Sequence, residues 1–278
     1  DAFSFMNYFV QMSFKKEADD EDIPVKRFAF DKLSRKGKSE FEVFFNHKDK
    51  EYQYGFTVDN KKVYEEWLYK RDFRSKNRYI TLFERNSNKI KCGDALKDAR
   101  IFIELVEDST LFLSFIANAK IREAKVVYDW FVSTQVVDFG DAIFEGLLSR
   151  SLPVEILKDD QYIRHLEDFL KAIDTGIVGI RIEKIKQGLD KNDKTVYDVH
   201  SKHVALNGDY FEIPFSEESS GTQKLFCLYH YLIKSIKQGN TLMIDELDAK
   251  LHPLLLRYII NMFHNPQINK NNAQLIYT

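Results

Sequence analysis

The chain has 278 residues with 41 basic and 43 acidic side chains, so it can bury a sizeable core but lacks a chain-wide positive field for nucleic acid. Its two cysteines, Cys92 and Cys227, stand too far apart for a metal motif or a disulfide framework, which fits a reducing compartment. No apolar run approaches the about 20 residues that span a bilayer, so we expect a cytoplasmic protein without membrane contact, while local nucleic-acid binding stays open.

The first predicted element is a helix within residues 1–16. Its apolar residues recur at helical spacing, at Ala2, Phe5, Met6, Phe9 and Val10. The acidic run at residues 17–22 then predicts an exposed, mobile link to the next part of the chain.

Residues 23–92 predict an antiparallel β lobe. Short segments of alternating apolar and polar residues are separated by turn-forming residues, at 25–30, 41–45, 52–58 and 80–83. The run Gly37-Lys38-Ser39 matches the end of a phosphate-binding loop, but position 32 is Lys where that motif needs its first glycine. A strand pattern also follows where a helix should begin, so we interpret this run as a solvated turn.

Residues 94–174 predict a compact helical lobe. Apolar residues return at helical spacing, at Leu105, Leu111, Phe112, Phe115, Ile116, Val126, Val127, Trp130 and Phe131. No heptad register persists across about three or four repeats, which excludes a long coiled-coil arm from this stretch.

Residues 175–278 predict a mixed α/β core. Strand patterns at 176–182, 195–199 and 210–213 precede a helix with one buried face, formed by Leu225, Leu228, Tyr229, Leu232, Ile233 and Ile236. Ser219 or Ser220 caps this helix, and the free amides of its first turn make a ready anion site. His200 and His203 in the preceding strands have no cysteine partner, so we interpret them as hydrogen-bonded or exposed side chains instead of metal ligands.

The run from Thr241 to Asp245 predicts a buried strand that ends in two adjacent carboxylates, Asp245 and Glu246. Ligands of parallel sheets bind beyond the carboxyl ends of the strands, where such a pair would meet phosphates. At such a site we expect Asp245 to bind Mg²⁺, directly or through water, and Glu246 to accept a proton from the attacking water. The alternative is purely structural: Asp245 caps a helix that follows the strand.

Together the two motifs resemble the ABC-type ATPase heads, the superfamily that includes SMC and RecF proteins. The segment Ser220-Gly221-Thr222-Gln223 is similar to the signature loop of that superfamily, and Leu242 to Glu246 is similar to its Walker B strand. The resemblance implies an α/β P-loop NTPase fold, ATP and Mg²⁺ as cofactors, and a homodimer that sandwiches two ATP molecules. Each signature loop then contacts the γ-phosphate held by the opposite copy. Thr222 departs from the pattern by replacing the second glycine of the loop.

Within the superfamily, the chain most resembles abortive-infection ATPases of the AbiLi or RloA kind. They share the form Glu-Leu-Asp-x-x-Leu-His-Pro, here ending at Pro253, and the tail at residues 269–276. This resemblance implies a role in phage defence. It also places His252, which stands where many members carry the Asp of the D-loop, beside the opposing ATP as a catalytic residue. A structural role in starting the helix at Pro253 remains equally open.

The resemblance also implies that residues 1–278 are a single truncated head. We expect the Walker A loop before Asp1 and the γ-phosphate-sensing His beyond Thr278. ATP hydrolysis is therefore expected of the longer natural protein, and little or none of residues 1–278 alone.

Two other functions stay open. One is an ATP-gated interaction module that controls a partner effector, such as a nuclease or toxin, without useful turnover. The other is a RecF-like DNA-repair ATPase that clamps DNA, which salt-dependent duplex binding would support.

Overall fold

The computed structural model describes residues 2–15, 22–32, 34–35, 37–72, 78–138, 160–172, 176–185, 196–248, 251 and 253–278. The chain divides into two compact units, unit 1 (Asp1–Ser133) and unit 2 (Thr134–Thr278). This boundary falls inside the stretch 94–174 that was predicted as a helical lobe. Its position follows from a strand at Gln135–Asp138, which pairs with a strand of unit 2.

Unit 1 contains one antiparallel sheet, and helices precede and follow its strands along the chain. Helix α1 (Ala2–Met12) and a 3-10 turn (Ser13–Lys15) come first. The five strands are β1 (Ser39–His47), β2 (Lys50–Val58), β3 (Val63–Asp72), β4 (Ile80–Asn86) and β5 (Lys89–Cys92). A 3-10 segment (Asp94–Leu105) and helices α2 (Phe112–Asn118) and α3 (Arg122–Ser133) follow.

The sheet of unit 1 is the predicted meander, with strand order β1-β2-β3-β4-β5 and antiparallel pairing throughout. The strand predicted at residues 25–30 is wrong, because this segment is coil and turn. Just before this segment, the Ile23 N–H donates to the carbonyl of Asn60, a residue of the turn between β2 and β3, at 2.7 Å. An alternating pattern of apolar and polar side chains does not produce a strand when the backbone N–H and C=O groups bond to something other than a neighbouring strand.

Aromatic side chains fill the core of unit 1. Tyr54, Phe56 and Phe131 are completely buried, and the ring of Trp130 stacks on Phe45 with 3.8 Å between the ring centroids. Large aromatic side chains bury much apolar area each, so this cluster supplies a large part of the hydrophobic stabilisation of unit 1.

A charged residue, Glu66 of β3, lies inside this core with 1% of its surface exposed. Its carboxylate accepts hydrogen bonds from the Tyr54 hydroxyl at 3.0 Å and from the N–H groups of Phe112 and Leu113 at 2.7 and 3.0 Å. The two N–H groups belong to the first turn of α2, which has no acceptors of its own for them. Glu66 therefore joins the sheet to the start of α2.

Unit 2 contains two three-stranded sheets and three described helices. Strands β7 (Ile177–Ile185), β8 (Val196–Val204) and β9 (Tyr210–Pro214) form an antiparallel sheet. Strands β6 (Gln135–Asp138), β10 (Thr241–Asp245) and β11 (Gln274–Tyr277) form a parallel sheet with β10 in the middle. The helices are α4 (Asp160–Ala172), α5 (Ser220–Gln238) and α6 (Pro253–His264), and a 3-10 turn (Phe215–Glu217) precedes α5. This is the mixed α/β composition that the sequence predicts.

The link from α5 to β10 depends on a glycine. Gly239 ends the helix with φ of +70°, and its N–H donates to the Ser235 carbonyl. A Cβ atom at this position would lie 2.4 Å from the Asn271 carbonyl oxygen, so a larger residue would clash as well as strain the backbone. The chain can therefore turn directly from α5 into the central strand.

The segment before β11 is held by a buried asparagine. The Asn269 amide donates to the carbonyls of Phe263 and Ala273, and its oxygen accepts from the Ala273 N–H. Ala273 before β11 is buried, whereas Ile276 and Tyr277 within the strand are exposed. The described sheet has β11 at its edge, where one flank of the strand is uncovered.

Within the described ranges, no helix is both long enough and apolar enough to cross a membrane. The predicted acidic link lies, up to residue 21, outside the described residues.

Replacing Glu66 by Ala should destabilise unit 1 by about 3–5 kcal/mol, because three buried donors lose their acceptor. Both tryptophans, Trp67 and Trp130, lie in unit 1, so urea unfolding followed by tryptophan fluorescence reports on this unit. The matched control is Glu65→Ala on the exposed face of the same strand, which should cost less than about 0.5 kcal/mol. Equal losses in the two variants would contradict the assignment.

The same carboxyl should make stability depend on pH. Burial raises the pKa of Glu66, and the charge of Arg85 opposes this shift. A raised pKa in the folded state contributes stability below the ordinary carboxyl pKa, and this contribution is lost as the pH rises through the raised value. The unfolding free energy of the wild type should therefore fall relative to that of Glu66→Gln as the pH rises, in the same fluorescence measurement.

Candidate functional site

The acidic pair predicted from the sequence lies at the carboxyl end of the central strand of the parallel sheet. Leu242 and Ile244 of β10 are buried, Asp245 is half-buried at the strand end, and Glu246 is exposed just beyond it. Glu246 has φ of +54°, a left-handed conformation that residues with a side chain seldom adopt and that often marks functional sites. The chain therefore turns sharply at Glu246 and brings both carboxylates to the same edge of the sheet.

A threonine at the end of β11 connects the two acidic residues. The Thr278 hydroxyl donates to Asp245 Oδ1 and accepts from the Glu246 N–H at 3.1 Å. The Thr278 N–H also donates to the Ile244 carbonyl, and the Thr278 carbonyl accepts from the Leu247 N–H. Thr278 is therefore bonded to residues before and after the turn at Glu246. No periodicity or spacing in the sequence indicates this contact, because it joins the ends of two separate strands.

The structure adds a carboxylate that sequence analysis did not single out. In the parallel pairing of β6 with β10, Asp138 is the partner of Asp245. Neighbouring strands lie about 4.8 Å apart, so the two aspartates stand side by side at the strand ends. The sequence signal for this strand was the run Gln135-Val-Val-Asp138, in which two apolar residues are followed by an aspartate. The run follows directly on a helical pattern, so it was not predicted as a separate strand.

These oxygen ligands fit Mg²⁺ by their chemistry. Mg²⁺ is usually held by one or two carboxylates together with water and substrate phosphates, and Asp245 with Asp138 supplies such a set. In the described part of the chain, no group of three or more His, Cys, Asp and Glu side chains is arranged to hold a metal. If Mg²⁺ binds to this pair, water and substrate phosphates would supply its remaining ligands.

The second predicted motif is the start of α5. Ser219 is the N-cap: its Oγ accepts from the Thr222 N–H at 3.1 Å and lies 2.8 Å from the Thr222 hydroxyl. The Gln223 N–H donates to the Ser219 carbonyl. Of the first-turn N–H groups described here, those of Ser220 and Gly221 have no acceptor, so they are available to bind an anion beyond the helix end.

The side chains of Thr222 and Gln223 make their contacts within the loop itself. Thr222 is buried, and the Gln223 amide donates to the carbonyls of Ser216 and Glu218 at 3.0 and 2.8 Å. Backbone groups of Ser220 and Gly221 therefore remain the more direct contacts for a phosphate, while Thr222 and Gln223 brace the turn.

The loop is also tied to the antiparallel sheet of unit 2. The Glu218 carboxylate accepts hydrogen bonds from the Ser201 hydroxyl and, at 2.6 Å, from Nε2 of His203, both on β8. The other histidine of the predicted pair, His200, lies 3.7 Å from Asp198 through Nδ1, too far for a hydrogen bond. His203 therefore supports the start of α5 through its hydrogen bond to Glu218.

The remaining predicted site residue, His252, lies outside the described residues. Helix α6 begins directly after it at Pro253, where the missing N–H of proline costs no hydrogen bond. The role of His252 beside a nucleotide stays a prediction.

A protein-family model matches the whole chain. Its description is "AAA domain, putative AbiEii toxin, Type IV TA system", and the match covers residues 1–278. The AAA part of that description agrees with the predicted resemblance to ABC-type ATPases, and its toxin part agrees with the predicted resemblance to abortive-infection ATPases.

Two solved structures are similar to the chain at low sequence identity. The Smc head domain with an extended coiled coil, bound to the C-terminal domain of ScpA and derived from Pyrococcus furiosus, is 9% identical; the match covers 99% of this chain and 80% of that one, with a TM-score of 0.33. The recombination mediator protein RecF-ATP of the RecFOR pathway is 11% identical, with coverage of 83% and 76% and a TM-score of 0.26. No curated protein matches the sequence.

Replacing Ser219 by Ala should expose the first turn of α5. Loss of an N-cap costs about 1 kcal/mol, which corresponds to roughly fivefold faster amide exchange at Thr222. Hydrogen exchange measured by NMR tests this. Ser220→Ala is the matched control and should leave the rate unchanged, because Ser220 does not cap the helix; an equal effect in the control would show that the cap is assigned to the wrong serine.

Proposed function

The chain belongs to the AAA-domain family so described, and from that premise we propose that it binds ATP with Mg²⁺ and hydrolyses it. The observation that carries the proposal is the pair of carboxylates at the carboxyl end of β10, the place where parallel α/β sheets bind their ligands.

Asp245 and Asp138 are the proposed magnesium ligands. Asp245 is oriented by the Thr278 hydroxyl, which keeps one carboxylate oxygen in place and leaves the other for the ion. When bound, Mg²⁺ neutralises the charge that develops on the phosphates. Positioning and charge stabilisation are the main contributions that a protein makes to phosphoryl transfer.

Glu246 is the proposed general base. Its backbone N–H is held by Thr278, and its exposed carboxylate projects beyond the strand end, where a water molecule has access. A carboxylate within hydrogen-bond reach of that water can accept its proton as the water oxygen attacks the γ-phosphorus, while the bond between the γ-phosphorus and the oxygen that leaves with ADP breaks.

The start of α5 is the proposed γ-phosphate contact. Its N–H groups at Ser220 and Gly221, together with the helix dipole, favour a negatively charged partner. We propose that this contact is made in a homodimer, with the α5 loop of each copy on the nucleotide of the other, and that His252 lies beside the same nucleotide. Thr222 and Gln223 complete the loop.

The biological role that we propose is defence against phage by abortive infection. The resemblance to abortive-infection ATPases and the toxin–antitoxin wording of the family description support it. In such a role, ATP-dependent dimerisation would control an effector partner of the nuclease or toxin class.

Replacing Glu246 by Gln in the complete natural protein should lower ATP turnover by about 10²–10⁴-fold while ATP binding and dimerisation persist. Turnover by phosphate release, binding by a fluorescent ATP analogue, and mass by light scattering measure the three properties. Glu217→Gln, an exposed carboxylate one turn before α5, is the control and should behave as the wild type. Unchanged turnover in Glu246→Gln would remove Glu246 from the mechanism.

Replacing Asp245 by Asn should raise the magnesium concentration needed for half-maximal turnover about 10- to 100-fold, because the ion loses a charged ligand. A magnesium titration of turnover measures this. Asp248→Asn, an exposed aspartate three residues further on, is the matched control. An identical magnesium requirement in both variants would place the ion elsewhere.

A further inference from the structure

The carboxylate of Glu218 is enclosed between β8 and the start of α5. The Glu218 side chain is 8% exposed. Its Oε1 accepts hydrogen bonds from both the Ser201 hydroxyl and Nε2 of His203. Since an ionised carboxylate has no proton to give, the histidine nitrogen is the donor in this contact. Without these donors, a carboxylate at this depth would have to turn towards water.

His203 is itself held in place. Ser201 and His203 lie two residues apart on β8 and so share one face of the sheet. Phe211 of β9 is the partner of His203 in the strand pairing, and the two rings stack with 5.5 Å between their centroids. The donor nitrogen therefore reaches Glu218 from a fixed ring.

Glu218 immediately precedes the N-cap Ser219, and its main chain takes part in the turn. Its N–H donates to the Phe215 carbonyl at 3.2 Å, and its carbonyl accepts from the Gln223 amide at 2.8 Å. A rotation of Glu218 would therefore move Ser219 and, with it, the N–H groups of Ser220 and Gly221.

We propose that Ser201, His203 and Glu218 are positioning residues of the ATPase, holding the α5 loop in the conformation that presents its free N–H groups to a nucleotide phosphate. This inference rests on the proposed function. None of the three residues contacts the nucleotide in this arrangement; they act through Ser219 and the two residues after it.

The test compares two substitutions of His203 in the complete natural protein. Ala removes the donor, whereas the Nε2 amide of Gln can replace the imidazole Nε2–H. We expect His203→Ala to lower kcat roughly 10- to 100-fold, as for a displaced catalytic group, with ATP binding by the isolated copy unchanged. His203→Gln should regain turnover to within about tenfold of the wild type, the scale of one hydrogen bond. The matched control is His200→Ala, on the opposite face of β8, which should retain wild-type turnover.

Mixing two inactive variants separates a displaced loop from a damaged protein. In a mixed dimer, the His203→Ala copy contributes an intact Glu246 and the Glu246→Gln copy contributes an intact loop, which together make one working site. Equal mixing makes half of the dimers mixed, so about a quarter of the bound ATP should be hydrolysed in a single turnover. Neither variant alone should hydrolyse a comparable share.

Each outcome has a defined meaning. Wild-type turnover in His203→Ala overturns this inference and leaves the proposed ATPase standing. A loss that Gln does not recover, or a mixture without activity, shows a general structural role for His203 and also overturns it. Absence of turnover in the unsubstituted protein overturns the proposed function itself, and this inference with it.

Discussion

The enclosure of β10 between two parallel neighbours is the constraint on which the rest of unit 2 depends. A strand with neighbours on both sides and helices in the same core must be apolar along its length, as Leu242 and Ile244 are. Polar groups are tolerated only where the strand leaves the core. The carboxylates of Asp245 and Glu246 therefore lie at the carboxyl edge of the described sheet, the edge at which parallel sheets generally bind their ligands.

In each unit the carboxylate of a glutamate makes hydrogen bonds close to the start of a helix, with opposite consequences for the N–H groups there. Glu66 binds the first-turn N–H groups of α2, so that helix start is consumed by the fold of unit 1. Glu218 instead bonds to β8 and holds the residue before the cap of α5, which leaves the N–H groups of Ser220 and Gly221 for another partner. The same residue type thus closes one helix start and keeps the other available.

The proposed chemistry divides between two rigid supports within unit 2. The carboxylates stand on a strand end tied down by Thr278, and the phosphate contact stands on a capped helix braced by Gln223 and Glu218. Groups held by strands and helices are positioned more accurately than groups on free loops, and phosphoryl transfer depends on such positioning. This accurate positioning is the physical reason for which we propose an ATPase role for the two motifs, and not a simple structural one.

The sequence by itself determined the strand ending in Asp245 and Glu246, a helix capped by Ser219 or Ser220, and the antiparallel sheet of unit 1 apart from the wrong strand at residues 25–30, because each depends on local periodicity and capping. Only the tertiary structure decided that Asp138 is the partner of Asp245 and that His203 supports Glu218. Those contacts join segments far apart in the chain, and their existence depends on strand register and close packing. A periodic pattern records which face of an element is buried, but it carries no information about the residue that lies opposite.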